Sequence, residues 1–355
     1  MAAPVIAIVS ASMRQLGGHG VQASLLMRQL RREGFRVIFI PIDPVFPRAA
    51  RWLRRVPGMR TALNQALYLP SLRHLGQADV VHVFAAAHWS FLISPVPAMV
   101  VARGLGKRVV LNYHSGEADE HLSRFHRTVR GLLRLADRIV VPSEFLREVF
   151  SHHGYEVEVI PNVVDLSSFR FRERSPLRPR LLSTRNLEPI YGVDMTLRAF
   201  ARIRERVPEA TLTVAGTGSQ EPALRRLAGE LGTAGIRFTG RVEPRDMTSL
   251  YDDHDIFLNA SHADNQPLSI LEAFAAGTPV VSTASGGIPT MIRHRETGLL
   301  LFRRDPAEMA AAVRRLLGEP GLARGIAARA LCRAREHAWP IVRDRWVAAY
   351  SGAAS

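Results

Sequence analysis

Along the chain, short runs of Val, Ile, Leu and Ala alternate with longer stretches in which apolar residues recur every three or four positions. The short runs predict buried strands and the longer ones amphipathic helices. In the first half, strands are predicted at 5–10, 36–42, 80–84, 108–114, 138–143 and 156–162, with helices at 21–32 and 120–136. Segment 166–179 has prolines and arginines but no period, and reads as a linker. The second half resumes with strands at 180–184, 211–216, 236–240, 256–261, 279–283 and 298–302. Helices at 193–207, 222–231, 268–276 and 306–317 lie between them. Strands apolar on both faces, alternating with helices, imply parallel sheets covered on both sides. The expected class is α/β, with two doubly wound, Rossmann-like domains at 1–170 and 175–335. In such sheets ligands bind beyond the carboxyl ends of the strands.

Composition changes this picture only locally. A length of 355 residues fits two ordinary domains. Cys332 is the only cysteine, so no internal disulfide forms; this suits a reducing compartment and a cytoplasmic location. No basic leader precedes the first strand, so no cleavable signal is expected. Residues 80–102 include no Asp, Glu, Lys or Arg, a length that could cross a bilayer. They also hold His82, His88, Ser90, Ser94, Pro95 and Pro97, so a buried strand, a loop and a buried helix are expected instead.

The formal net charge is +15, and Lys107 is the only lysine, an arginine bias of the kind GC-rich genomes produce. The charge has one local concentration. Arginines 48, 51, 54, 55, 60 and 73 fall in a stretch, 44–78, without acidic residues. Trp52, Val56, Met59, Leu63 and Leu67 recur there at helical spacing, interrupted by Pro57-Gly58. The segment 48–74 reads equally as a contact with an anionic membrane surface and as a packed helix with a solvated arginine face. Aromatic residues do not interleave with the arginines as a single-strand platform requires, so no nucleic-acid partner is expected.

Three segments carry candidate chemistry. Gly17-Gly18-His19-Gly20 follows the first strand, where glycines let backbone N–H groups approach an anion at a helix start. Asn112 to Glu117 ends the fourth strand, and His114 there reads either as a donor to a sugar hydroxyl or phosphate or as a structural histidine. The richest segment is 256–292. Asp264 lies in the loop after a strand and Glu272 in the second turn of the next helix, so two carboxylates can face one ligand. Carboxylates bind ribose and hexose hydroxyls through charge-assisted hydrogen bonds. The helix start at Pro267, Leu268 and Ser269 offers free N–H groups to a diphosphate. Asp253-His254-Asp255 has the look of a metal motif but lacks companion ligands, and no metal site is expected. His152-His153 reads as a solvated helix end.

Several segments together resemble glycosyltransferase family 4. They are Leu271 to Val281, Gly286-Gly287-Ile288-Pro289, Glu296 to Leu300, Val159 to Asp165, Leu212 to Gly218, Ile236 to Val242 and Ala136 to Ser143. The resemblance implies a GT-B fold, whose final helix, here 338–352 with Trp339, Val342, Trp346 and Ala349 on one face, crosses back to the first domain. It implies a retaining transferase that takes a hexose from a nucleotide diphosphate sugar, UDP-linked by the commonest usage, without a metal or other cofactor. The second domain would bind the donor and the first the acceptor; a lipid-linked or cell-envelope glycan acceptor at the inner face of the membrane rests only on the basic segment 48–74.

The resemblance also implies roles. Glu272 matches the second glutamate of the family's paired motif, which holds the donor ribose, and Asp264 stands where the first glutamate would be. Arg185 matches the arginine on the diphosphate, while Tyr191 falls where a lysine is usual. His114 matches the histidine beside the reacting sugar. Gly17 and Gly18 match the family's glycine loop, and Val242, Pro267, Leu268 and Ser269 line the donor. The missing lysine leaves a second reading open, a sugar-nucleotide-binding scaffold without catalysis.

Overall fold

The computed structural model describes residues 3–13, 18–48, 52, 56 and 58–351. Of the residues singled out above, Gly17, Arg51, Arg54, Arg55 and Pro57 lie outside the described residues. The chain divides into two units, one made of Met1–Val163 with Val342–Ser355, the other of Val164–Ile341.

The first unit is built on strands β1 (Ile6–Ser10), β2 (Val37–Pro41), β3 (Val80–Ala85), β4 (Arg108–Tyr113), β5 (Arg138–Val141) and β6 (Glu158–Val159). They form one parallel sheet in the order β2-β1-β3-β4-β5-β6. The chain winds outward from β1 in both directions, so the strand order reverses between β1 and β3. Helix α1 (Gly18–Arg32) leads from β1 to β2. It buries Leu25, Leu26 and Leu30, each worth about 1.5–3 kcal/mol relative to exposure.

The uncharged stretch 80–102 becomes β3, a short helix α3 (Trp89–Ile93) and α4 (Pro95–Gly104), whose Ala98, Met99 and Ala102 are buried. Among the described residues no helix is long and apolar enough to cross a membrane. In the basic segment Gly58 takes φ 80° and precedes α2 (Met59–Ser71), of which Tyr68 alone is buried. Helix 120–136 is two helices, α5 (Ala118–Arg124) and α6 (His126–Leu133). Phe125 breaks them: it leaves helical geometry (φ −115°, ψ 25°), and its ring packs against those of His88 and His121. After α7 (Glu144–His152), His153 is not solvated as expected but meets Asp119 through Nε2 at 2.9 Å.

The second unit repeats the scheme. Strands β7 (Arg180–Ser183), β8 (Thr211–Ala215), β9 (Ile236–Gly240), β10 (Ile256–Asn259), β11 (Val280–Thr283) and β12 (Leu299–Leu301) form a parallel sheet ordered β12-β11-β10-β7-β8-β9. Successive residues point to opposite faces. Leu181, Leu258, Val281, Leu299 and Leu301 therefore enter one core, and Leu182, Phe257, Val280 and Leu300 the other. The first core is covered by α8 (Val193–Arg204) and α13 (Pro306–Gly318), the second by α10 (Pro244–Asp252), α11 (Leu268–Ala276) and α14 (Pro320–Arg335). Strand order reverses between β7 and β10. This unit also contains 166–179, which is no free linker, because Arg172, Arg174 and Arg178 all bind Asp255.

Helix α15 (Trp339–Ser351) closes the chain, and from Val342 onward it counts with the first unit. Its Trp346 stacks on His82 of β3 at 4.9 Å between ring centroids, and Tyr350 Oη lies 2.8 Å from His82 Nδ1.

Candidate functional site

In the second unit the loops after β7 and β10 leave the sheet at its topological switch point, where a parallel sheet opens a crevice for ligands. Arg185 follows β7 and Asp264 follows β10. One guanidinium nitrogen of Arg185 pairs with Asp264 Oδ2, and Nη1 donates to Ser269 Oγ at 3.1 Å. The guanidinium also lies over the Tyr191 ring, 4.3 Å from its centroid, a cation–π contact. Its Nε is buried with no partner among the described residues.

Asp264 is held from several sides. Ser261 Oγ donates to Oδ2 at 3.2 Å, and the Asn265 amide donates to Oδ1 at 3.0 Å. Its carbonyl accepts from the Gly287 amide at 2.9 Å. Gly286 takes φ 55°, and a Cβ there would meet the Asp264 carbonyl oxygen at 2.1 Å, so only glycine lets the two loops close on each other.

Helix α11 starts at this loop. Pro267 is its N-cap, Leu268 its first residue and Ser269 its buried second residue. The helix ends at Gly277, left-handed at φ 72°. Glu272 projects from its second turn and accepts from Tyr251 Oη at 3.0 Å. The same hydroxyl lies 2.9 Å from the Ser269 carbonyl oxygen and 3.1 Å from Thr184 Oγ1. Burial raises the Glu272 carboxyl to about 7, against the opposing pull of the Tyr251 hydrogen bond and of Arg185. Arg185, Asp264, Ser269 and Glu272 thus come together as one cluster. Val242 instead packs, partly buried, against the core beneath α10 and α11. Arg241, a possible replacement for the missing lysine, pairs with Glu243 at 2.8 Å.

Sequence reasoning missed Tyr251 and Thr184. The sequence predicts no element over Tyr251, and nothing in its spacing marks its hydroxyl as the Glu272 partner. The nearby Asp253-His254-Asp255 is occupied internally. His254 bridges the Leu250 carbonyl (2.6 Å) and Thr213 Oγ1 (2.8 Å), and Asp255 takes the three arginines.

The first unit gathers imidazoles. His114 follows β4, and its amide donates to the Ala85 carbonyl at 3.0 Å. His19, near the start of α1, meets its ring edge-on at 5.1 Å, and Phe84 lies 5.3 Å away. Phe84 stacks in turn on His82 at 4.8 Å. Burial, then His19 and His82, hold His114 well below the ordinary imidazole range, and burial lowers His19 to about 4. Both are neutral at pH 7, and His114 Nε2 is buried with no partner among the described residues. His19 was read only as part of the glycine turn. Gly18 has open space around it, whereas a Cβ on Gly20 would meet the Ser12 carbonyl oxygen at 3.0 Å. Elsewhere in this unit His88, Glu117 and Glu120 each place one ligand atom within 4.8 Å of the others.

Residues 16–168 match the family model described as Glycosyltransferase Family 4, and residues 178–319 match Glycosyl transferases group 1. The GDP-mannose-dependent alpha-(1-6)-phosphatidylinositol monomannoside mannosyltransferase of Mycolicibacterium smegmatis is 30% identical over 282 residues, covering 72% of this chain and 73% of that protein. The chain belongs to glycosyltransferase family 4. The glycogen synthase of Mycobacterium tuberculosis is 32% identical over 260 residues, 69% of this chain. That match spans 61% of the synthase's own length. Anabaena Alr3699/HepE, solved with UDP and glucose, superposes with a TM-score of 0.75 at 17% identity, over 99% of this chain and 100% of that one. The fold is GT-B.

Proposed function

We propose that this chain is a retaining glycosyltransferase that moves a hexose from a nucleotide diphosphate sugar, UDP-linked, to a hydroxyl of a glycan or lipid-linked acceptor. The observation that carries the reading is the cluster of Arg185, Asp264 and Glu272 around the N-terminus of α11, at the switch point of the second sheet. One fixed cation and free helix N–H groups suit a leaving diphosphate. Two carboxylates suit ribose and hexose hydroxyls. In this reading Glu272 holds the ribose, Asp264 the hexose and Arg185 the diphosphate. His114, neutral in the first unit, offers Nε2 to a sugar or phosphate oxygen. The acceptor oxygen bonds to the anomeric carbon on the face the diphosphate leaves. As the bond between the anomeric carbon and the diphosphate oxygen breaks, the departing phosphate oxygen takes the acceptor's proton, so no enzymic base is required.

The charge on the diphosphate is met by Arg185 and amides, and the reading calls for no metal. The HepE crystals with UDP and glucose support a uridine donor, and the mannosyltransferase relative's named donor makes GDP-mannose the next to try. That relative's phosphatidylinositol-based acceptor supports a lipid-linked one here. So does the basic segment, where Trp52 (63% exposed), Met59 (46%) and Leu69 (47%) stand out with Arg48, Arg60 and Arg73. Such a surface suits an anionic membrane.

The test is a transfer assay in EDTA. UDP-glucose and GDP-mannose are offered with soluble and lipid acceptors, with and without anionic vesicles, and the product anomer is read by NMR. Transfer with the donor's anomeric configuration kept, and faster with vesicles, is expected. Inversion would contradict retention. Loss of transfer in EDTA, restored by a divalent ion, would contradict the metal-free reading and direct attention to His88, Glu117 and Glu120. Donor binding with no transfer to any acceptor would favour the scaffold reading.

A further inference from the structure

Arg185 is nine-tenths buried, and its charge is already engaged: Asp264 pairs with it, Ser269 accepts from it, and Tyr191 covers one face. Tyr191 supplies polarisable area but no charge. Glu272 lies close enough to act on the same guanidinium. A diphosphate entering this cluster therefore does not meet a free cation. It must take Arg185 from Asp264.

We infer that Asp264 competes with the donor's diphosphate for Arg185, so that the second unit holds a nucleotide-linked sugar more tightly than the bare nucleotide diphosphate left after transfer. The inference rests on the donor reading above. When Arg185 turns to the diphosphate, the Asp264 carboxylate keeps, among the described residues, Ser261 Oγ and the Asn265 amide as donors. It is mostly buried, so a lost charge partner is not made good by water. Nor can the loop carry it away: the close approach of Gly286 and the Gly287 amide pin the Asp264 backbone. A hexose hydroxyl on the intact donor supplies the missing hydrogen bond. The bare nucleotide supplies none, and the carboxylate returns to Arg185. Asp264 is then a specificity residue that also speeds release of the spent nucleotide.

Calorimetric titrations of UDP and UDP-glucose in EDTA, with GDP and GDP-mannose as the second pair, test this. Wild type is expected to bind the sugar-linked form of its pair more tightly than the bare form. Asp264→Asn, close in shape, should bind the bare nucleotide about tenfold more tightly and the sugar-linked form no better. Asp264→Ala should give the same ordering without the amide. The gain should vanish when Arg185→Gln is added, because the effect passes through that guanidinium. Unchanged or weaker binding of the bare nucleotide in both Asp264 variants overturns the inference, as does a gain that survives Arg185→Gln. If no member of either pair binds any form of the protein, the donor reading falls and the inference falls with it.

Discussion

Glu272 shows how a single side chain can place ligand binding against stability. Its carboxyl is lifted from 4.5 to about 7, chiefly by burial. The folded chain therefore keeps a proton that the unfolded chain releases near pH 4.5. Between the two values the unfolded state binds fewer protons, and stability falls as pH rises. Above about 7 the full penalty, roughly 3 kcal/mol, is present. Glu272→Gln cannot titrate. Its melting temperature is expected to exceed that of wild type at pH 8 and to approach it near pH 5, with nucleotide affinity reduced at pH 8. A gap independent of pH would show that the carboxyl is not buried as described. Glu272 and Asp264 were legible in the sequence because strand-end and helix-start positions are set locally, and Arg185 only through the family resemblance. Tyr251 was not, since its hydroxyl finds Glu272 only when α10 packs beside α11. The Tyr191 contact was visible only as an absence of lysine.

At the scale of elements, the segment read as a linker carries the support of the site. Arg174, nearly fully buried, donates to the carbonyls of Ala276 at 2.6 Å, Tyr251 at 2.8 Å and His254 at 2.9 Å. Those carbonyls belong to the C-terminal ends of α11 and α10, where a helix leaves its acceptors unsatisfied. One guanidinium thereby ties together the two helices that carry Glu272 and Tyr251. Arg174→Ala would take a donor from each of three carbonyls, of which, among the described residues, Ala276 and Tyr251 keep backbone N–H partners and His254 does not, and would weaken the pairing of buried Asp255. Destabilisation of about 3–5 kcal/mol is expected, read as a lower urea midpoint, with weaker nucleotide binding alongside. A loss below about 1 kcal/mol would contradict this role. The strands were legible because buried parallel strands write themselves as apolar runs. Segment 166–179 reads as a linker because a single sequence does not show that Asp255 lies beneath three of its arginines. The break at Phe125 escaped for the same reason, since the His88 ring that packs against it comes from elsewhere in the fold.

At the scale of the whole molecule, each unit places its candidate residues beyond the carboxyl ends of a parallel sheet. In the second unit, Arg185 and Asp264 leave from the two strands flanking the switch point. Family membership accounts for the fold, and in the proposed reading Tyr191 and Asp264 set the charge that meets the diphosphate. The central claim is that Arg185 with the α11 amides binds a nucleotide diphosphate without a metal. The most direct measurement is a thermal-shift titration of UDP, GDP and ADP in EDTA, on wild type and Arg185→Ala. One nucleotide at a hundred times its dissociation constant should add ~2.7 kcal/mol of stability to wild type. At the same concentration Arg185→Ala should lose most of that shift. No shift with any nucleotide, or one that appears only when a divalent ion is restored, would contradict the account.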